Sequence, residues 1–158
     1  LRIAGDDRFA AVGEAELIAE AQRPVEHLVD LLGWVEPSEF LARVDLAVFP
    51  SIARESFGLV VAEAMSARMP FVISNSGALP EVAGPDHPFV AVAGNPEALA
   101  SSIRAAVSMR EDQPDHFETL LDNAQARWEQ EFSPAAGRVR FLQVLREFSF
   151  SPTDQKGI

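Results

Sequence analysis

The sequence predicts an α/β fold, an open parallel sheet with helices on both faces and a helical cap at its C-terminal end. Three observations carry this. Short apolar runs of strand length alternate with segments of helical periodicity from Leu1 to about Val107, the pattern of parallel strands joined by crossover helices. The runs end in Gly, Asp, Pro or Ser, which turn a chain out of a strand. Beyond them the chain carries only helical stripes.

Composition sets the outer limits. The chain has 158 residues, 47% hydrophobic and 23% charged, enough to build one globular domain around a core. It contains no cysteine, which excludes disulfides, thiolate metal sites and a thiol nucleophile and suits a reducing compartment; a cytoplasmic location is expected. A net charge of -11 argues against nucleic acid or anionic lipid as partners, because both need a basic patch. Runs such as Leu59 to Ala62 and Phe89 to Ala93 are too short to span a bilayer and no signal segment opens the chain, so no membrane contact by this domain is expected. The chain starts at Leu1 directly with a strand-like run and reads as cut from a longer protein.

Leu1 to Ala4 is the first predicted strand, ended by Gly5-Asp6-Asp7 and followed by a helix through Phe9, Val12, Leu17 and Ile18 that Pro24 closes. His27 to Leu32 is the second, ended by Gly33, after which Pro37-Ser38 opens a short helix through Phe40, Leu41 and Val44. Leu46 to Phe49 is the third. Pro50-Ser51 ends it, and a helix beginning near Phe57-Gly58 carries Val60, Val61, Ala64 and Met65 as a buried stripe. Phe71 to Ile73 is the fourth strand, leading through the turn-rich Asn75 to Ala78 into a helical turn over Leu79 to Ala83.

Phe89 to Val92 is the fifth. Asn95 caps a helix from Pro96 with Leu99, Ile103, Ala106 and Val107 at helical spacing. Phe117, Leu120, Leu121, Ala124 and Trp128 form the next stripe, and Ser133-Pro134 caps a last helix through Val139, Leu142, Leu145 and Phe148. Residues 1–148 are read as one domain and 149–158 as a frayed tail.

Ligands of open parallel sheets sit beyond the carboxyl ends of the strands, so the strand exits are where chemistry is sought. The richest runs from Pro50 to Leu59, where a helix starts at Gly58: its free N–H groups and positive dipole end suit an anion, and glycine admits close approach. Glu55 and Glu63 flank that site. Carboxylates beside a phosphate make sense when they accept hydrogen bonds from hydroxyls, which sugars and riboses supply. Taken alone, Glu55 is also a favourable first-turn acid and Glu63 a solvated helix residue, although its apolar neighbours Ala62, Ala64 and Met65 argue for a partner. The second exit is Ser74 to Glu81. Gly77 supplies an unusual backbone angle there and Pro80 and Glu81 start a helical turn whose amides face the crevice, or the whole segment is a plain turn. The third, Gly5-Asp6-Asp7, is a tight turn or a solvated one.

These residues resemble a known family. Glu55-Ser-Phe-Gly-Leu-Val-Val-Ala-Glu63 is similar to the Glu-x7-Glu motif of the large retaining glycosyltransferase family numbered four, which includes sucrose, mannosyl and glycogen-type synthases. Ile3 to Asp6, Leu32 to Val35, Asp45 to Ser51, Glu63-Ala64-Met65, Gly77 with Pro80-Glu81, and Gly94 to Leu99 follow in that family's order, so the likeness covers roughly residues 1 to 148. It implies the GT-B architecture of two facing Rossmann-like domains, of which this chain is the donor-binding one, lacking its first strand or strands.

The same resemblance implies residue roles. Glu55, the catalytic candidate, would contact the transferred sugar and Glu63 the ribose hydroxyls. The amides of Phe57, Gly58 and Leu59 would hold the distal phosphate, with Ser51, Ser56 and Val60 completing the loop. Gly33 and Val35 would lie in the base-contacting loop, Gly5 would also bind the donor, and Gly77, Pro80 and Glu81 would form a second loop. The implied partners are a nucleotide-sugar donor and a missing N-terminal acceptor-binding domain. No cofactor or metal is expected: His27, His87 and His116 are dispersed, and Asp6-Asp7 lacks a matching ligand set.

The sequence departs from the family at Arg68 and Ala78, both usually glycine, and at Pro88, the usual glycine before the fifth strand. Arg68 is expected to point to solvent. The family's arginine and lysine that neutralise the leaving diphosphate would precede Leu1; without them the helix amides and Arg54 would contribute on the order of 1 kcal/mol each, so the isolated chain is expected to bind donor weakly.

Four other readings compete. A glycosidase would use paired carboxylates but leave the phosphate-type helix start without a role. A sugar-nucleotide epimerase shares the architecture. A degenerate, non-catalytic donor module retains the motif, and a flavodoxin-like regulatory domain needs a pocket lysine, whereas the sole lysine is Lys156. For the last helix the expectation is packing as a cap; the alternative leaves Phe141, Phe148 and Phe150 partly exposed toward the missing domain.

Overall fold

Parallel pairing runs through every strand contact of the computed structural model, which describes residues 1–5, 19–21 and 23–149. The chain divides into two compact units, residues 1–44 and 45–158.

In the first unit, β1 (Arg2–Ile3) pairs in parallel with β2 (Asp30–Leu31), Arg2 opposite Asp30. The Asp30 amide donates to the Leu1 carbonyl at 2.8 Å and the Leu32 amide to Ile3 at 3.0 Å, extending the ladder beyond its two-residue strands. The predicted strand from His27 is shorter than expected, because Arg23–Leu28 is a 3-10 helix. Pro24 fixes a helical φ there, and the Val29 amide closes the turn on the Glu26 carbonyl at 3.2 Å. Helix α1 (Pro37–Leu41) stops before Val44, its end marked by the Ala42 amide bonding back to Ser38. The helix predicted through Phe9, Val12, Leu17 and Ile18 lies outside the described residues.

The second unit holds β3 (Ala47–Phe49), β4 (Phe71–Ser74) and β5 (Val90–Ala91) in that order, Ala47 opposite Phe71 and Ile73 opposite Val90. Buried at all four positions, β4 is covered on both faces, as an α/β sheet requires. On one face Val72 and Phe89 pack with Ala106 of α4 (Pro96–Asp112) and with Phe117 and Leu121 of α5 (Pro114–Glu131). Val107, expected on that stripe, is 45% exposed, since Ala106 is the residue facing the sheet.

Helix α2 (Leu59–Ser66) buries Val61, Ala62, Ala64 and Met65; fully covering Val61 and Met65 stabilises the unit by roughly 1.5–3 kcal/mol each. Val60 is not part of that stripe. It is 40% exposed, one residue and about 100° around the helix from Val61. A short helix, α3 (Leu79–Ala83), follows β4.

The predicted caps hold. The Ala98 amide donates to Asn95 Oδ1 at 2.9 Å, and the Ala136 amide to Ser133 Oγ at 3.1 Å at the head of α6 (Pro134–Ser149). Expected packing of α6 as a cap is corrected: Val139, Phe141, Leu142, Leu145 and Phe148 are all exposed, Phe148 at 79%. Phe150 lies outside the described residues.

Arg68 does not simply point to solvent. Its φ of 54° places it in the left-handed region that glycine favours. From there Nη2 donates to Glu118 at 2.6 Å and Nε to Asp122 at 2.7 Å, both on α5, and these bonds, Asp122 first, raise its pKa further. Backbone strain is thus set against ion pairing. Arg68→Ala keeps the strain and loses the pairs, whereas Arg68→Gly loses both. Thermal melts should therefore place Arg68→Ala below Arg68→Gly, and the reverse order would mean the left-handed turn is not strained. Ala78, with φ of -83°, needs no glycine.

Candidate functional site

Two loops at the carboxyl ends of β3 and β4 are moulded together. Ser74, at the end of β4 and 2% exposed, donates from Oγ to the Ser51 carbonyl at 2.6 Å. Ser76, 4% exposed, donates to the Ala53 carbonyl at 2.6 Å. The Ala78 amide donates to the Glu55 carbonyl at 3.0 Å. Three successive alternate residues of one loop thus satisfy carbonyls of the other, as buried backbone groups require.

Gly77 sits in the middle of this latch with φ of 54°, and a Cβ there would overlap the backbone of Glu55. This is a close approach only glycine permits. On the first loop's own side, Ser51 Oγ donates to Glu55 Oε1 at 2.9 Å, fixing the half-buried carboxylate. Glu55 is therefore held at backbone and side chain alike.

Gly58 then turns the chain into α2 as its N-cap, with φ 83° and ψ 51°, packed so that a Cβ would come within 2.7 Å of Leu79 Cδ2. The first amide bonded within the helix is that of Val61, to the Gly58 carbonyl at 3.0 Å. Among the described residues the amides of Phe57, Gly58, Leu59 and Val60 have no backbone partner, leaving an anion-seeking helix start. Phe57, Leu59 and Val60 are exposed around it, as is Ser56. Glu63 lies half-buried further along α2, its carbonyl accepting from Ser66 Oγ at 2.7 Å.

The second loop differs from expectation in one respect. The Ala78 and Leu79 amides are spent inside the latch, on Glu55 and Ser76, and Pro80 has none, which leaves the Glu81 amide without a backbone partner among the described residues while the rest of the start of α3 builds the first loop. Glu81 is exposed. In the first unit Gly5 and Gly33 come together, the Gly5 amide donating to the Gly33 carbonyl at 2.8 Å with φ of 135° and 64°; half-buried Val35 follows that turn.

Ser74, Ser76 and Leu79 were not singled out by sequence reasoning as site residues. The one signal is at Ser74, a serine and not an apolar residue at the buried end of a strand. Among the described residues no three His, Asp or Glu side chains converge as a metal ion would need, and no helix is long and apolar enough to cross a membrane.

The chain is similar to known proteins. Over 112 residues the chain is 34% identical to the GDP-mannose-dependent alpha-(1-6)-phosphatidylinositol dimannoside mannosyltransferase of Mycobacterium tuberculosis, covering 67% of this chain and 29% of that protein. It is 34% identical over 119 residues to the MMP alpha-(1->4)-mannosyltransferase of Mycolicibacterium hassiacum, 75% of this chain and 28% of that one. The chain thus spans less than a third of the curated relatives it matches.

Among solved structures, Anabaena HepE in complex with UDP superposes with a TM-score of 0.81 at 24% identity, over 92% of this chain and 40% of that one. A glycosyltransferase from Rickettsia africae gives 0.82 at 18% identity, over 95% and 40%. At such identities the likeness establishes the fold, an α/β domain of the GT-B type. The family model described as "Glycosyl transferases group 1" matches residues 1–109, more than half of the sequence, and the chain belongs to that family.

Proposed function

We propose that this chain is the donor-binding part of a longer, cytoplasmic retaining glycosyltransferase of family four, which moves a sugar from a nucleotide diphosphate sugar to a hydroxyl acceptor. The observation that carries this reading is the latched Pro50–Gly58 loop, which fixes the Glu55 carboxylate on Ser51 and leads directly into the open amides of a helix start. A carboxylate accepts hydrogen bonds from sugar hydroxyls and the amides donate hydrogen bonds to a phosphate, so one loop reads both halves of such a donor.

Glu55 contacts the transferred sugar. The Phe57, Gly58 and Leu59 amides, with Ser51, Ser56 and Val60 beside them, hold the distal phosphate, and Glu63 takes the ribose hydroxyls. Gly77, Pro80 and Glu81 shape the loop from behind, Gly33 and Val35 serve the base, and Gly5 belongs to the donor-binding residues. Positioning and charge stabilisation on the leaving diphosphate supply the catalysis, with a second, acceptor-binding domain completing the enzyme; no resident metal or cofactor is part of this scheme. The GDP-mannose-dependent mannosyltransferase relative makes GDP-mannose the first donor to test.

Calorimetric titration of the full-length protein with GDP-mannose, UDP-glucose and UDP-N-acetylglucosamine tests this. One donor is expected to bind, at least about tenfold more weakly in Glu63→Ala, the loss of a charged hydrogen-bond acceptor, and weakly to the isolated chain. If no nucleotide sugar binds, or Glu63→Ala binds as wild type does, the domain is a structural or degenerate module.

A further inference from the structure

Helix α5 ends behind both loops of the site, and Arg127 there makes more directed contacts than packing needs. Its Nε donates to the Val82 carbonyl at 3.0 Å and Nη2 to the Glu81 carbonyl at 2.9 Å, while Nη1 pairs with Glu131 at 2.9 Å. The two carbonyls belong to the C-terminal end of α3, where acceptors are left over and a cation complements the dipole. Gly84 makes room for the arm: a Cβ there would come within 3.2 Å of Arg127 Cδ and Nε. The guanidinium also lies 5.5 Å from the centre of the Phe132 ring. Phe132 in turn meets Phe57 edge-on, ring centres 5.9 Å apart and planes at 83°.

We infer that Arg127 and Phe132 form a positioning unit for the donor site, acting on Glu55 through α3 and on the start of α2 through Phe57. The first path runs from the Arg127 guanidinium through α3 to Ala78, whose amide holds the Glu55 carbonyl. The second runs through the Phe132 ring to Phe57, two residues from Glu55 and next to the N-cap Gly58. Neither residue lies in the stretch matched by the family model. An arginine is required because its rigid fork serves two carbonyls and a carboxylate at once, which a lysine ammonium cannot do in the same plane.

The inference rests on the proposed donor site. Its test is steady-state transfer by the full-length protein carrying Arg127→Met, Arg127→Lys, Phe132→Leu or both Arg127→Met and Phe132→Leu, beside Glu55→Gln, well below each melting midpoint. Arg127→Met is expected to lower kcat/KM for the donor on the order of tenfold, with the acceptor KM unchanged, because misplacement and not unfolding is the defect. Arg127→Lys should recover part of it, Phe132→Leu should move the same way, and the double variant should lose less than the product of the singles. Wild-type donor kinetics in folded Arg127→Met and Phe132→Leu, with transfer lost in Glu55→Gln, overturn this inference alone. A wild-type protein that binds no nucleotide sugar overturns the proposed function and this inference with it.

Discussion

Gly77→Ala is expected to reduce sugar transfer by the full-length protein on the order of a hundredfold, a larger loss than its added methyl group suggests. Two effects combine. The residue has φ of 54°, where any L side chain is strained by roughly 1–2 kcal/mol. The methyl group would also overlap the backbone carbonyl and amide of Glu55, atoms that have no rotamer to move into. Overfilling of this kind costs about 1–3 kcal/mol, and relieving it shifts Glu55 itself, where a displacement near 1 Å is worth about a hundredfold in rate. Gly94→Ala is the control, since Gly94 has φ of 73° but nothing within 4 Å of a Cβ. It shares the strain without the collision. If kcat/KM falls equally in the two variants, close approach to Glu55 has no catalytic consequence.

The residues behind that prediction were unequally legible in the sequence. Asn95 and Ser133 announced their helices because a cap bonds three residues along its own chain, and the stripe of Phe117 and Leu121 announced its face by period alone. The central strand was equally plain, since a run buried on both sides is apolar throughout up to Ser74. Where the partner is distant, the signal fades. Ser74 bonds a carbonyl 23 residues earlier, and Arg127 reaches carbonyls 45 and 46 residues back. Nothing local distinguishes such residues from solvated ones. Arg68 shows the limit most clearly: its neighbours in sequence suggest solvent, and its place is decided by two acids on α5, 50 and 54 residues further along the chain. Pro24, read as the end of a helix, also sits in the first turn of a 3-10 helix that its sequence does not announce. The roles assigned to Glu55 and Glu63 came from the family motif, whereas what holds Glu55 still came from the loops.

The packing of β4 against the loop before β5 sets a second large effect, a loss of stability in mild acid. His87 stacks on Phe71, ring centres 4.3 Å apart, and meets Phe89 edge-on at 5.8 Å, with its Nε2 buried and without a hydrogen-bond partner among the described residues. Burial among these rings pushes the imidazole down to about 4, against the pull of the Phe71 and Phe89 carbonyls, which favour the protonated form. Because the folded value is depressed, the unfolded chain takes up its proton first as pH falls. The contribution of neutral His87 is whole above about pH 6.5 and is lost progressively between there and about pH 4. A difference of that size corresponds to about 3 kcal/mol. Urea unfolding of wild type and His87→Phe across this range isolates the effect, since the remaining acidic groups are common to both. The gap between the two proteins should narrow or reverse in favour of the variant toward pH 4, and a gap independent of pH would mean that the imidazole is protonated in the folded chain without penalty.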